Sequence, residues 1–294
     1  MRSAGIGDQH LIMGPWADTH YDQYHGELNF GPAASASGSG VVASFNRFID
    51  KHLRDGKADL PVCSYFVLGA NRWQQSDAWP PREAEAQLLY LHSSGAANTA
   101  SGDGTLTEAP AAGSESADSY VYHPQNPVPT IDPPGPRDQR AVETRDDVLC
   151  YTSAPFEATT TVAGPVTLEL WAISDASDTD WTAKLVDVAP DGTARQLCDG
   201  IMRATFRDSL SAPTPIRPGQ AERYVISLGS IACQFPAGHR ARLEVSSSNF
   251  PKFDANPNTG ASTITGSASQ VAVQQVLHST PHASVLRWSM LKAP

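Results

Sequence analysis

The chain has 294 residues, 40% of them hydrophobic and 18% charged, which is enough apolar material for a large core and excludes a disordered or fibrous protein. Its formal net charge is −10, with most of the acidic excess after residue 82, which argues against nucleic acid and anionic membrane surfaces as partners. With Gly 22 and Pro 23, the composition favours strands and turns over long helices.

The four cysteines, Cys63, Cys150, Cys198 and Cys233, form no CxxC pair and read as buried free thiols. The opening residues, MRSAGIGDQ, lack the apolar core of a secretory signal, and no run reaches the ~18 apolar residues of a membrane span. This points to the cytoplasm.

In chain order, HLIMG is a short apolar strand that ends at Gly14-Pro15-Trp16 and opens into a polar loop carrying Asp18, His20, Asp22 and His25. Strand ends opening into polar loops are where catalytic groups sit in open α/β sheets. His25 reads as a solvated loop residue. Val41, Val42, Phe45, Phe48, Ile49 and Leu53 then share one helical stripe, with Ser39 as the expected N-cap and Gly56 as the stop. PVCSYFVLG, residues 61–69, is apolar on both alternating sets, as in a strand covered on both faces. Strand, helix and strand make a βαβ unit, too little to be a domain by itself.

After Trp79-Pro80-Pro81 come short strands divided by turns: AQLLYLHS, DSYVYHP, VTLELWAIS, TAKLVDV, ARQLCDGIMRATF, ERYVISLGSIA and ARLEVSSS. Asp191-Gly192 marks a hairpin turn. In HRARLEV, Arg240, Arg242 and Glu244 face one way and Ala241, Leu243 and Val245 the other. About eight strands over the remaining residues predict an antiparallel two-sheet sandwich of jelly-roll type.

Further clusters have plain structural readings. Asp175, Asp178 and Asp180 lie close enough for calcium but lack the EF-hand spacing, and Asp is a common turn former. Pro281 separates His278 from His282 and argues against a shared helical face. Arg203 and Arg207 are expected to pair with strand-borne acids. Trp16, Trp73, Trp79, Trp171 and Trp181 are expected to pack rather than to stack on sugars. No metal and no cofactor is expected.

LIMGPW, YFVLGANRWQQSDAWPP, GAANT, DQRAVETRDDVLCYTSAPF, DTDWTAKLVDVAPDG, LCDGIMRATFR and SSSNFPKFDANPNTG follow one another in an order that resembles the cocaine-esterase and glutaryl-acylase type of serine hydrolase. These enzymes are similar to X-prolyl dipeptidyl-peptidases in their C-terminal domain. The resemblance spans about residues 8–260. It implies that residues 1–82 are the C-terminal remnant of an α/β-hydrolase domain and that residues 83–294 are a jelly-roll domain of the X-prolyl dipeptidyl-peptidase C-terminal, non-catalytic type.

In an α/β-hydrolase the triad runs Ser, then acid, then His. The resemblance therefore implies that this stretch holds the histidine loop without the nucleophile and the acid. Relatives carry the triad histidine two residues after the Trp of GPW, and that position here is Asp18. A carboxylate of pKa ~3.9 is a poor general base for a serine hydroxyl. His20 reaches the same place only if the loop is rebuilt. Neither GPAASASGSG nor GASTITG forms a substitute elbow between a strand and a helix. Phe250 and Phe253 are expected to anchor an interface with the hydrolase domain.

The chain is therefore expected to be inactive alone. Its partner is the missing hydrolase domain or a second copy of itself, and oligomers or disorder are expected in residues 1–60 because the helix stripe lacks a complete sheet beneath it. The alternative is a jelly-roll module that binds carbohydrate or docks onto an intact hydrolase.

Overall fold

The computed structural model describes residues 9–17, 20–54, 56–57, 59–131, 135–260 and 268–291. At its start, β1 (Leu11–Met13) pairs in parallel with β4 (Cys63–Val67), with α1 (Val41–Leu53) in the connection, so the predicted βαβ unit forms. Between β1 and α1, β2 (Tyr24–His25) and β3 (Leu28–Asn29) make a two-stranded hairpin. The helix begins one residue later than expected. Gly40, in the left-handed region, is the N-cap, because its φ of 74° suits a residue without a Cβ. Ser39 still contributes, since its hydroxyl accepts the Val41 N–H at 3.2 Å. At the far end, the Gly56 N–H donates to the Asp50 carbonyl at 3.0 Å, as expected of a glycine stop.

The sequence reading missed β5 (Arg72–Ser76), which folds back antiparallel on β4. The turn uses Gly69 at φ 84° and Asn71 at φ 50°. A Cβ at Gly69 would press on the Gln234 carbonyl at 3.1 Å. This tightness is where the first unit meets the rest of the chain. The Leu68 N–H donates to Ala232 O at 2.9 Å, and the Gln234 N–H donates back to Leu68 O at 2.8 Å. Cys63, Tyr65 and Val67 pack with Ala163 and Ala232 behind this bridge.

The remaining strands are β6 (Ala84–His92), β7 (Thr105–Thr107), β8 (Asp118–Tyr122), β9 (Leu149–Ser153), β10 (Thr160–Ser174), β11 (Asp180–Val188), β12 (Ala194–Arg203), β13 (Glu222–Phe235), β14 (Arg240–Ser246), β15 (Ala272–Leu277) and β16 (Val285–Leu291). They form one continuous sheet in the order β12-β11-β14-β9-β7-β6-β16-β10-β15-β8, with β13 also on β10. The described pairings are antiparallel except for β7 with β9. The protein is mainly β, as predicted, and the strands of its large sheet follow one hydrogen-bonded path.

That path curls. At the β12 end, a Cβ on Gly200 would collide with the Ser227 carbonyl of β13, so the glycine lets the two backbones meet. The enclosed core contains Trp181, Trp288, Tyr151, Tyr224 and Phe235, all fully buried. The Asp191-Gly192 hairpin forms between β11 and β12, with Gly192 at φ 86°. Arg203 ends β12, but Arg207 follows a 3-10 turn at Ala204–Phe206 and so is off the strand expected to carry it. None of the four cysteines is in a disulfide.

Candidate functional site: the loop after the first strand

The loop leaving β1 is shaped by close contacts among small and aromatic residues. A Cβ on Gly14 would overlap the Trp16 ring, so glycine is required there. The Trp16 indole donates to Ala34 O at 2.6 Å and the Trp73 indole to Ala33 O at 2.7 Å, with the two rings 5.8 Å apart. Two indoles thus fasten the Pro32–Ala34 turn beside the end of β1, where buried Trp N–H groups need acceptors.

Asp18 lies outside the described residues. His20 is exposed, and its backbone N–H donates to Ala17 O at 3.1 Å. His25 corrects the expectation of a solvated residue, being only 4% exposed. Its Nε2 lies 2.9 Å from Asp22 O, and its ring packs 6.0 Å from Phe30. Phe30, itself buried, covers one side of the imidazole. The side chain of Asp22 meanwhile accepts the Tyr24 N–H at 2.7 Å, a local turn bond. The two histidines therefore do not converge, since one faces solvent and the other is packed inward.

A pocket of about 220 Å³ lies between this loop and the large sheet, lined by Met13, Trp16, His25, Phe30, Gln196 and Ser230 among others. It is smaller than the roughly 300 Å³ at the lower end of ordinary ligand sites. Ser230 at its rim accepts the Trp79 indole N–H at 3.3 Å.

One described hydroxyl does meet an imidazole, far from this loop. Thr107 Oγ1 lies 3.0 Å from His92 Nε2, while His92 Nδ1 is 2.8 Å from Glu115 Oε1. The Ala109 carbonyl decides the roles, because it accepts from both His92 Nε2 at 2.9 Å and Thr107 Oγ1 at 3.0 Å. A carbonyl cannot donate, so Nε2 carries its hydrogen. Nε2 therefore turns no lone pair toward the Thr107 hydroxyl, which is itself bonded to the same carbonyl.

The other candidate residues have structural partners. Asp175 accepts the Val273 N–H, and Asp178 accepts the Thr205 N–H and the Asn256 amide. Asp180 takes Arg203 at 2.9 Å and Asn256 at 2.8 Å; burial raises its pKa, and these two partners oppose the rise. Arg207 lies 3.4 Å from Glu222, so both arginines pair with acids as expected. His278 is buried on Asp118 at 2.6 Å, whereas the His282 ring lies tilted against Trp171 with centroids 4.7 Å apart. Burial works against ionisation of Asp118, but bonds from His278, Ser93, the Ala97 N–H and Tyr151 outweigh it and hold the carboxyl below the usual range. Among the described residues, no group of three His, Cys, Asp or Glu is arranged to hold a metal. Among them, too, no helix is long and apolar enough to cross a membrane.

Sequence reasoning did not foresee the burial of Lys184, Glu244, Glu143 and Arg242. Lys184, Arg242 and Glu244 share one face of β11 and β14, which is covered by the segment carrying Gln139 and Glu143.

Residues 55–287 match the family model described as the X-Pro dipeptidyl-peptidase C-terminal non-catalytic domain. The chain belongs to this family. Among curated relatives of this X-Pro dipeptidyl-peptidase C-terminal family member, cocaine esterase of Rhodococcus sp. (strain MB1 Bresler) is 41% identical over 264 residues, covering 86% of this chain and 46% of that protein. Among solved structures, an aminopeptidase from a marine-sediment Thaumarchaeota archaeon superposes at TM-score 0.84 with 28% identity, over 97% of this chain and 50% of that one. An α-amino acid ester hydrolase superposes at TM-score 0.81 with 30% identity, over 96% of this chain and 50% of that one. The chain spans about half the length of the relatives it matches.

Proposed function

We propose that these 294 residues are the C-terminal portion of an ester- or amide-cleaving serine hydrolase, in which a jelly roll supports a catalytic unit whose nucleophile and acid lie outside this stretch. The observation that carries the reading is the family match over residues 55–287 to a domain described as non-catalytic. Similarity to a cocaine esterase and an α-amino acid ester hydrolase supports acyl transfer as the chemistry of the completed enzyme.

In that chemistry a serine attacks the carbonyl, a histidine takes and returns the proton, and backbone amides hold the oxyanion. This chain contributes the histidine loop, but with Asp18 two residues after Trp16. A carboxylate there adds negative charge beside the triad acid and supplies no base near neutral pH. The exposed His20 is the alternative base, once the loop is rebuilt against a partner. The same partner covers the apolar face of α1 and meets Phe250, which is 44% exposed.

The test is labelling of the purified chain with a fluorophosphonate, together with turnover of a short-chain aryl ester. No labelling and no turnover are expected. Stoichiometric labelling of any serine would overturn the proposal.

A further inference from the structure

We propose that the open edge of β6 beside the groove under Phe156 is a docking slot for an extended peptide segment with alternating apolar side chains and basic flanks. In the sheet, β6 pairs along its length with β16, but on its other side β7 covers only Tyr90, Leu91 and His92. No described strand pairs with Ala84–Leu89 on that side. After Thr107 the chain bends at Glu108 and Ala109, and Pro110 beyond has no N–H to give a ladder.

The register shows which groups are open. The Leu91 N–H donates to Ser284 O, on the β16 side, so Leu89 and Gln87 point their backbone the same way. By alternation, Ala86 and Leu88 turn their N–H and C=O groups toward the open side. A strand laid along Ala84–Leu88, in line with β7, would run about 17 Å at ~3.3 Å per residue and complete that ladder.

The floor of the slot fits alternate side chains of such a strand. A groove of about 630 Å³ opens there, walled by Leu89, Leu106, Phe156, Trp288 and Met290. Gln87 and Trp288 are register partners and share its face. An added strand sends every second side chain into this space, and main-chain bonds with alternate-side-chain pockets are how sheet edges recognise peptides.

Charge selects the occupant. Two exposed carboxylates, Glu108 and Glu157, line the rim against one guanidinium, Arg240, which already donates to Ser153 O at 3.0 Å. The rim therefore favours basic flanks. A second copy of this chain, with net charge −10, is disfavoured.

The experiment uses the full chain and a synthetic heptapeptide that alternates leucine and threonine between terminal lysines. Saturable binding is expected, with slowed hydrogen exchange at the Ala86 and Leu88 amides. Methylating alternate peptide nitrogens should weaken binding at least about tenfold, because it removes the ladder donors while keeping the side chains. The double variant Glu108→Lys, Glu157→Lys should weaken binding of the unmodified peptide several-fold and flatten its salt dependence. Equal affinity for the methylated peptide, or no protection at Ala86 and Leu88, would overturn the proposal. Protection of the same amides on self-association, without peptide, would overturn it in favour of a second copy.

Discussion

At the scale of single residues, the least expected group is Glu244. The alternation in HRARLEV placed it opposite Ala241, Leu243 and Val245, and those three are indeed fully buried. What the pattern of one strand cannot show is that a distant segment covers the other face as well. Glu244 is only 3% exposed, with Lys184 3.4 Å away. Burial pushes its carboxyl up to about 7, Lys184 opposes the rise, and neighbouring Glu143 adds to it. An acid whose folded pKa exceeds its unfolded value contributes most below the unfolded pKa, and that contribution is lost as pH rises through the folded pKa. Glu244→Gln mimics the neutral acid. It is therefore expected to match the wild-type pH dependence below about pH 4 and then to gain stability relative to wild type up to about pH 8, by an amount on the order of 3 kcal/mol. Urea melts of both proteins across this range check it; a constant difference between them would show that the Glu244 carboxyl titrates alike in the folded and unfolded chains. The candidate loop tells a similar story. GPW and its two histidines were visible in the sequence, but the burial of His25 depends on Phe30 covering one side of its ring.

At the scale of elements, α1 exposes the apolar stripe that its sequence predicted. Val42, Phe45 and Leu53 are 58%, 61% and 75% exposed, and no residue of the helix is buried. Such a face promotes association. Phe45→Lys should leave the melting temperature nearly unchanged, since surface substitutions rarely exceed about 0.5 kcal/mol, while shifting sedimentation toward monomer. An unchanged oligomer distribution would mean that this face is not the contact. The helix and the Asp191-Gly192 hairpin could be read from sequence because their signals are local, a 3.6-residue stripe and a turn dipeptide. Besides β5, the small β2–β3 hairpin and four strands of the large sheet were not read. β9 is covered on both faces, which erases alternation, and β7 has only three residues. β15 and β16 lie among turn-rich residues near the end of the chain, and their place in the sheet comes from partners more than a hundred residues earlier, such as β10 and β6. The approach of β12 to β13 was hidden for the same reason, since the Gly200–Ser227 contact joins residues distant in the chain.

At the scale of the whole molecule, the first unit, β1, α1, β4 and β5, has little sheet of its own and leans on the large one. The link includes the paired Leu68 bonds to Ala232 and Gln234, the Trp79–Ser230 contact, the Arg195–Glu27 ion pair at 3.7 Å, and the packing of Cys63, Tyr65 and Val67 on Ala163 and Ala232. A three-stranded sheet with one exposed helix is marginal alone, so the unit's order should depend on this link. Leu68→Pro removes the donor to Ala232 and leaves that carbonyl unpaired, a cost of about 1–3 kcal/mol. Leu68→Ala keeps both backbone bonds and removes only side-chain packing, and so separates the two contributions. In the proline variant, amides of Leu11–Met13 and Cys63–Val67 should exchange far faster while those of β10 and β11 keep their protection, and the thermal transition should split in two. In the alanine variant the transition should stay single and move only slightly. If the proline variant instead loses protection throughout both units together, the first unit and the large sheet form one cooperative body, and the large sheet relies on its neighbour as much as the neighbour relies on it.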